Sequence, residues 1–441
     1  MGIFKSYDIR GIYPDELNDD TAYKIGRAFV AHTKAEQVMV GRDTRNSSPA
    51  LHDALIRGIT DQGADVVDIG IATTPMTNFL HSHKGYETSI QVTASHNPKE
   101  YGGFKLNTRD AEPLTGDEGI SSIKTLVEKN RFPEPEKKGT VTERDHLDDY
   151  ATYIAGLAER DLTDLNVVVD ASNGPVSIVA EKVLKKLGIT YTPLNFTPDG
   201  NFPGHDPNPL KGDAPDQAKA KVKETGADFG CLFDADADRA VFVDEHSETV
   251  TPDLIGAVLA SHALKQYPGE KILYDCLSSH VVRDAIEKAG GQGIVMRTGR
   301  SYIYQRARAE DVAFAAEASS HYYYREMYHG DHGLLTLLKV MELVANMEKP
   351  LSEIVKEYDT YVNTGQINVQ VKGDAKHAVE KVAAAFTDGK QSRIDGITIE
   401  YPDAWLVARP SNTEPLIRLR VESKDKEKVE ELKQRVMEVV Q

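Results

Sequence analysis

Short apolar runs recur along this chain, each closing in a polar loop and followed by an amphipathic stretch. That alternation is what most constrains the fold. The runs at 37–40, 65–69, Ser89–Val92, Asn166–Asp170, Phe229–Phe233, Lys271–Asp275 and 293–297 read as buried strands. Between them the spacing predicts helices over 19–32, 49–62, 147–157, 176–187, 215–225, 253–267 and 280–289. In the first of these, Ala22, Ile25, Ala28 and Phe29 share one face. Strands alternating with helices imply α/β units with parallel or mixed sheets and with functional loops at strand ends. The last part differs. Its strands at 366–371, Ile397–Glu400 and 416–421, with helices at 376–386 and 425–440, have few crossovers and make an α+β module. The expected organisation is three α/β units at 1–148, 149–249 and 250–360 and an α+β unit at 361–441. Thr73-Thr74-Pro75 reads as a turn, and the proline-rich stretch 198–210 as irregular structure.

Composition narrows the function. With 441 residues, 40% hydrophobic and 27% charged, the chain has the make-up of a soluble multidomain protein. No apolar run is long enough to span a membrane, and the N-terminus lacks the basic-then-apolar pattern of a secretion signal. Met1-Gly2 with Ser6 fits an acylation pattern formally, but the stretch from Phe4 to Gly11 is better used inside the fold. Cys231 and Cys276 make neither a disulfide framework nor a metal knuckle, which points to a reducing cytoplasm. A net charge of −17 argues against nucleic acid or an anionic membrane as partner. An anionic substrate would need basic residues concentrated locally.

Four loops carry the chemistry. Thr93-Ala94-Ser95-His96-Asn97-Pro98 turns sharply after a strand and holds Ser95 out from the backbone, where an oxygen nucleophile is useful; an ordinary solvated corner would read the same way. Lys105 follows closely, a group that neutralises phosphate or moves a proton. Asp234, Asp236 and Asp238 alternate with alanines. In extended geometry they would share one side, and a bend would wrap them around one ion. Oxygen-only ligands suit Mg²⁺ better than Zn²⁺, although a solvated acidic turn has the same letters. The apolar strand that feeds the triplet and the adjacent Arg239 favour the metal. Arg409-Pro410-Ser411-Asn412-Thr413-Glu414-Pro415, with Arg418 beyond, offers a guanidinium, hydroxyls and amides to a phosphate dianion. Glu317, Ser319 and His321 offer acceptor, hydroxyl and imidazole to sugar hydroxyls.

Taken together and in this order, with Tyr7-Asp8-Ile9-Arg10-Gly11 and Gly41-Arg42-Asp43-Thr44-Arg45, these motifs resemble the α-D-phosphohexomutase family over essentially the whole chain. The resemblance implies four domains in a heart shape around one cleft, three similar α/β domains and a C-terminal α+β domain. It implies a phosphoserine at Ser95 and a Mg²⁺ ion held by Ser95, Asp234, Asp236 and Asp238. Arg10 and Arg239 would assist at the phosphoserine, and Lys105 and His321 would be the acid–base candidates. Glu317 and Ser319 would read the sugar, and Arg409, Ser411, Asn412 and Thr413 the phosphate that is not reacting. Tyr7, Arg300 and Arg418 join the substrate-binding set.

The implied reaction interconverts hexose 1-phosphate and hexose 6-phosphate, with hexose 1,6-bisphosphate as intermediate and activator. Some positions depart from the family pattern. Ala316 and Ser320 replace glycines, Arg300 stands where many relatives carry histidine, and Leu277 where some carry lysine. Ala318 occupies the position that tracks the sugar, and the run Ser320-His321-Tyr322-Tyr323-Tyr324-Arg325 looks more like the phosphomannomutase/phosphoglucomutase branch. A phosphoglucosamine mutase is the alternative, a Ser-plus-metal phosphatase and a non-enzymatic sugar-phosphate sensor the rivals from other classes. The expected partner is a sugar phosphate, and the expected state a monomer or homodimer.

Overall fold

The computed structural model describes residues 2–410 and 416–440, with Asp117 and Glu118 by backbone alone. The chain divides into two compact units, Met1–Thr251 with Ser319–Glu353, and Pro252–Ala318 with Ile354–Gln441.

The first unit contains two mixed sheets. In one, the parallel strands Ser89–Val92, Gln37–Arg42, Asp65–Ile71 and Val141–Glu143 are flanked by antiparallel Tyr101–Asn107 and Ile9–Ile12. Helices Asp19–Thr33 and Ser48–Asp61 pack on it, burying Ile25, Phe29, Leu51 and Leu55 against Val38, Val40 and Ile90. The first helix starts at Asn18, whose side chain accepts from the Thr21 N–H and so satisfies one of the open donors of the first turn. The other sheet runs Thr249–Val250, Ala240–Asp244, Phe229–Phe233, Asn166–Asp170, Thr190–Leu194, with its parallel pairs around Asn166–Asp170. Both central strands here are buried along nearly their whole length, as their unbroken apolar runs require. Residues 319–353 add the antiparallel pair Tyr322–Tyr324 and Gly330–Asp331 and the buried helix Gly333–Met347.

The second unit contains three parallel strands, Gln292–Met296, Lys271–Asp275 and Phe314–Ala316, with helices Pro252–Gln266, His280–Lys288 and Arg300–Glu310. Its C-terminal part is an antiparallel sheet around Leu416–Ser423 and Ala404–Pro410, backed by helices Ala375–Ala385 and Lys426–Val440. This is the α+β module expected from the few crossovers.

Several elements differ from the sequence reading. Thr73-Thr74-Pro75 is not a free turn but the start of the helix Thr74–Lys84: Thr73 caps it by accepting from the Met76 N–H, and Pro75 sits in its first turn. Proline is tolerated there because that N–H has no intrahelical partner. Residues 101–107 form a strand despite Gly102-Gly103. A Cβ at Gly103 would lie 2.5 Å from the Ile9 carbonyl and 2.8 Å from that of Thr93, so the glycine lets three backbones converge. Helices Arg300–Glu310 and Gly333–Met347 were not foreseen. Asp234–Asp238 do not lie in extended backbone; the strand ends at Phe233 and the triplet wraps in turns, with Ala237 at φ 61°. Among the described residues no helix is long and apolar enough to cross a membrane.

Candidate active site

Register places the first groups. Gln91 lies opposite Lys105 across Ser89–Val92 and Tyr101–Asn107, so the lysine arises beside the strand that delivers the serine loop. Ser95 itself has φ 50°, a left-handed backbone conformation rare for a non-glycine residue. It is over-determined by its neighbours. The Ser95 N–H donates to Thr93 Oγ1 at 2.9 Å, and its carbonyl accepts from Arg45 Nη2 at 2.5 Å. Arg45 Nη2 donates also to the Asn97 carbonyl at 2.5 Å, and Nη1 to those of Pro98 and Tyr101 at 2.8 and 3.2 Å. One buried guanidinium therefore ties down four carbonyls of the loop while facing Asp43 at 3.3 Å. Arg10 holds the other side, donating to the Ala94 carbonyl at 3.2 Å and Asn97 Oδ1 at 2.6 Å and pairing with Asp8 at 2.6 Å.

Ser95 is only 2% exposed, and its Oγ lies 3.2 Å from His96 Nδ1. Burial, with Arg239 and Arg10 nearby, pushes the His96 imidazole well below its usual range, so it is neutral at physiological pH.

Asp234, Asp236 and Asp238 are all buried, and each offers an oxygen within 4.8 Å of the others. Lys105 Nζ donates to Asp236 at 2.6 Å and Asp238 at 2.5 Å, and Thr74 Oγ1 to Asp236 at 2.5 Å. Burial, compounded by Asp238 and Asp236, pushes the Asp234 carboxyl well above the usual carboxylate range. Burial and Asp238 act to raise Asp236 too, but Lys105 and Thr74 hold it below. Asp234 Oδ2 and Asp236 Oδ1 are buried without a hydrogen-bond partner among the described residues. Orphaned carboxylate oxygens converging with one ammonium for three acids fit a hard divalent cation. Arg239 Nε stands 3.8 Å from Asp234 and 3.4 Å from His321 Nε2. His321 Nε2 is 3.2 Å from Asp238, and its Nδ1 2.9 Å from Ser319 Oγ. The first unit thus gathers Arg10, Ser95, Lys105, the three aspartates, Arg239, Ser319 and His321. Tyr7, two residues before the strand Ile9–Ile12, is 38% exposed.

The acidic loop is propped by neighbouring segments. Ser172 Oγ donates to the Phe233 carbonyl at 2.5 Å, and the Ala235 N–H to that of Pro207 at 3.3 Å. His205, in the irregular stretch, faces Asp170 at 3.2 Å in a pair whose side chains are almost wholly buried.

The remaining predicted residues belong to the second unit. Glu317 follows Phe314–Ala316 and accepts from the Gly299 N–H at 3.2 Å. Arg300 opens the helix Arg300–Glu310. Arg409 and Arg418 lie directly opposite each other across two antiparallel strands, an arrangement that repels unless an anion sits beside it. Ser411, Asn412 and Thr413 lie outside the described residues.

Family models described as phosphoglucomutase/phosphomannomutase, alpha/beta/alpha domains I, II and III, match residues 1–134, 145–248 and 251–361. The model of that family's C-terminal domain matches 367–439. The chain belongs to the phosphoglucomutase/phosphomannomutase family. A phosphomannomutase from Escherichia coli is 36% identical over 96% of this chain and 95% of its own. A phosphoglucomutase from Neisseria gonorrhoeae is 34% identical over 100% of this chain and 96% of its own. The crystal structure of a phosphoglucomutase/phosphomannomutase family protein from Burkholderia thailandensis is 31% identical, covers 99% of this chain and 97% of that one, and superposes with a TM-score of 0.91. With the family come its four-domain architecture and phosphohexomutase activity.

For this phosphohexomutase, sequence reasoning missed the parts that act at a distance. Arg45 stood inside a quoted motif, but its four carbonyl partners could not be read from it. His96 stood beside Ser95, yet nothing in the letters gave its neutrality. Thr74 reaches Asp236 over 162 positions.

Arg45→Lys should keep the charge beside Asp43 and lose the planar fork, costing about tenfold or more in turnover with unchanged circular dichroism. Unaltered turnover would show that the clamp is dispensable. The His205–Asp170 pair has a sign that can be checked. Burial acts to lower His205, but Asp170, by hydrogen bond and charge, raises it above its ordinary 6.5. Its contribution to stability is therefore full below that value and fades as pH rises through the higher folded value. The melting-temperature deficit of His205→Gln should be larger at about pH 6 than at about pH 9. An equal deficit at both would sink this assignment.

Proposed function

We propose that Ser95 Oγ carries the phosphoryl group exchanged between the C1 and C6 oxygens of a hexose of the mannose or glucose type. The observation that carries this reading is that one unit holds Ser95 in a fixed left-handed turn, two arginine anchors of its loop and the Lys105–aspartate cluster. Phosphoserine 95 gives its phosphoryl group to the free hydroxyl: the Ser95 O–P bond breaks, the sugar O–P bond forms, the hydroxyl proton leaves to a base, and the released Ser95 oxygen takes up a proton. The hexose 1,6-bisphosphate then turns around, and its other phosphate returns to Ser95.

His321, oriented by Ser319 at one nitrogen, and Lys105 are the groups placed to take and return protons. Arg10 and Arg239 face the transferred group. Asp234, Asp236 and Asp238, with the Ser95 phosphate, would hold Mg²⁺; bound there, it offsets charge on the transferring oxygens. Glu317, Ser319 and Tyr7 read the sugar, and Arg300, Arg409, Arg418, Ser411, Asn412 and Thr413 the second phosphate. The names carried by the relatives favour mannose and glucose over glucosamine. Domain joints fall near 148, 249 and 360. Two buried free thiols, Cys231 and Cys276, suit a reducing cytoplasm, where we place the enzyme as a monomer or homodimer.

Ser95→Ala should lose at least ~10²-fold in turnover, because a covalent relay has no substitute carrier. Intact mass of the wild type should show one added phosphate mapped to Ser95. Near-normal turnover of the variant would refute the relay. A coupled assay of mannose, glucose, glucosamine and N-acetylglucosamine 1-phosphates decides the sugar. Asp236→Asn should weaken Mg²⁺ dependence while the fold survives, and full activity of the wild type in chelator would remove the metal from the scheme.

A further inference from the structure

Arg409 needs an explanation for its orientation. It sits near the end of the strand Ala404–Pro410, with Arg418 across from it, so its guanidinium is repelled on that side. On the other side, Asp395 accepts from Arg409 Nη2 at 2.8 Å. Asp395 comes just before the strand Ile397–Glu400, whose Ile397 pairs with Ala408. The residue between, Gly396, has φ 77°, and a Cβ there would meet the Ala408 carbonyl at 2.4 Å and Arg409 Cα at 2.9 Å. Only glycine lets the turn press this closely on the arginine.

The same carboxylate oxygen accepts twice more, from the Thr298 N–H at 3.1 Å and Thr298 Oγ1 at 2.7 Å. The next N–H, that of Gly299, donates to Glu317. The two-residue segment Thr298-Gly299, immediately before Arg300, is thus fixed at one end by Asp395 and at the other by Glu317. Arg409 Nε is buried with no hydrogen-bond partner among the described residues, so the guanidinium keeps donor capacity beyond its bond to Asp395.

We propose that Asp395 is a positioning residue of the substrate site: through one oxygen it aims Arg409 and fixes the Thr298–Gly299 segment that Glu317 also holds, setting the phosphate-binding and sugar-reading groups of this unit in one frame. This rests on the reading of Arg409 as a phosphate ligand. It adds that the arginine binds at full strength only when Asp395 orients it. The carboxylate partly neutralises Arg409, but it selects one geometry for a charge that Arg418 would otherwise push away. Positioning and competition predict opposite signs for its removal.

The test is steady-state kinetics with mannose 1-phosphate and glucose 1-phosphate on the full-length variants Asp395→Ala, Asp395→Asn, Arg409→Ala and the Asp395→Ala/Arg409→Ala double. Inorganic phosphate serves as competitive inhibitor. Arg409→Ala should raise KM about tenfold or more, and Asp395→Ala about fivefold with kcat within about twofold, a loss of uniform binding. The inhibition constant of inorganic phosphate should rise in parallel. The losses in the double variant should be clearly less than multiplicative, since Asp395 acts in large part through the arginine. Asp395→Asn keeps an acceptor for Thr298 but loses the charge, and its KM should fall between wild type and Asp395→Ala.

A KM that is unchanged or lowered in Asp395→Ala, a fall in kcat alone, or multiplicative losses in the double would overturn the proposal while leaving Arg409 as a phosphate ligand. Unchanged KM in Arg409→Ala would overturn that reading, and the proposal with it. Should Asp395→Ala not fold, Asp395→Asn decides by the same measure, with a rise of about twofold expected and no rise overturning it.

Discussion

Three carboxylates buried within a few ångströms of one another are the constraint on which the active-site unit depends. Left alone they would repel and protonate, and the upward push on Asp234 shows that pressure. The protein answers with Lys105, brought in by an antiparallel strand, and Thr74, brought in by the first turn of a helix. Both come from the same sheet domain that presents Ser95, so the groups that tame the acids also tie the serine loop to them. Three buried acids shared by one ammonium are a setting that suits a hard cation and a charged ligand better than anything uncharged.

Strands were legible from their apolar runs, although the one read as buried at 293–297 is the largely exposed strand Gln292–Met296. Asn166–Asp170, Phe229–Phe233 and Lys271–Asp275 have the bounds their apolar runs announce. Where local signals compete with tertiary ones, the reading failed. No strand was read over 101–107, where Gly102-Gly103 weakens the local signal, yet Ile9 and Thr93 press so closely on Gly103 that the strand requires it. Thr-Thr-Pro looks like a turn because proline breaks helices from within, yet it starts this one. The helix Gly333–Met347 is buried along most of its length, so it lacks the polar face that makes a helix visible.

The chemistry was legible in its residue types and hidden in its pairings. Acid triplet, serine turn and terminal arginine could each be named from the letters, because few other residues do those jobs. What the letters withhold is who faces whom: Arg45 spanning the serine loop, His205 beside Asp170, Asp395 beside Arg409. Asp395 meets Arg409 through a glycine-permitted approach, and Arg45 and His205 reach their partners from loops; none of these pairings has a local signature. Their bond partners are often backbone carbonyls, which every residue has and no motif can mark.

The left-handed backbone at Ser95 has a consequence for which hydroxyl side chain the position admits. Serine and threonine offer nearly the same hydroxyl, and an unconstrained loop would accept either. At φ 50° a second heavy substituent on Cβ would crowd the local backbone, and a β-branched side chain is the least welcome kind in that region. Arg45 and Thr93 hold the turn in place, so the chain cannot relax to admit the extra methyl. The loop therefore discriminates between two alcohols by the conformation it imposes on its own main chain, before any substrate arrives.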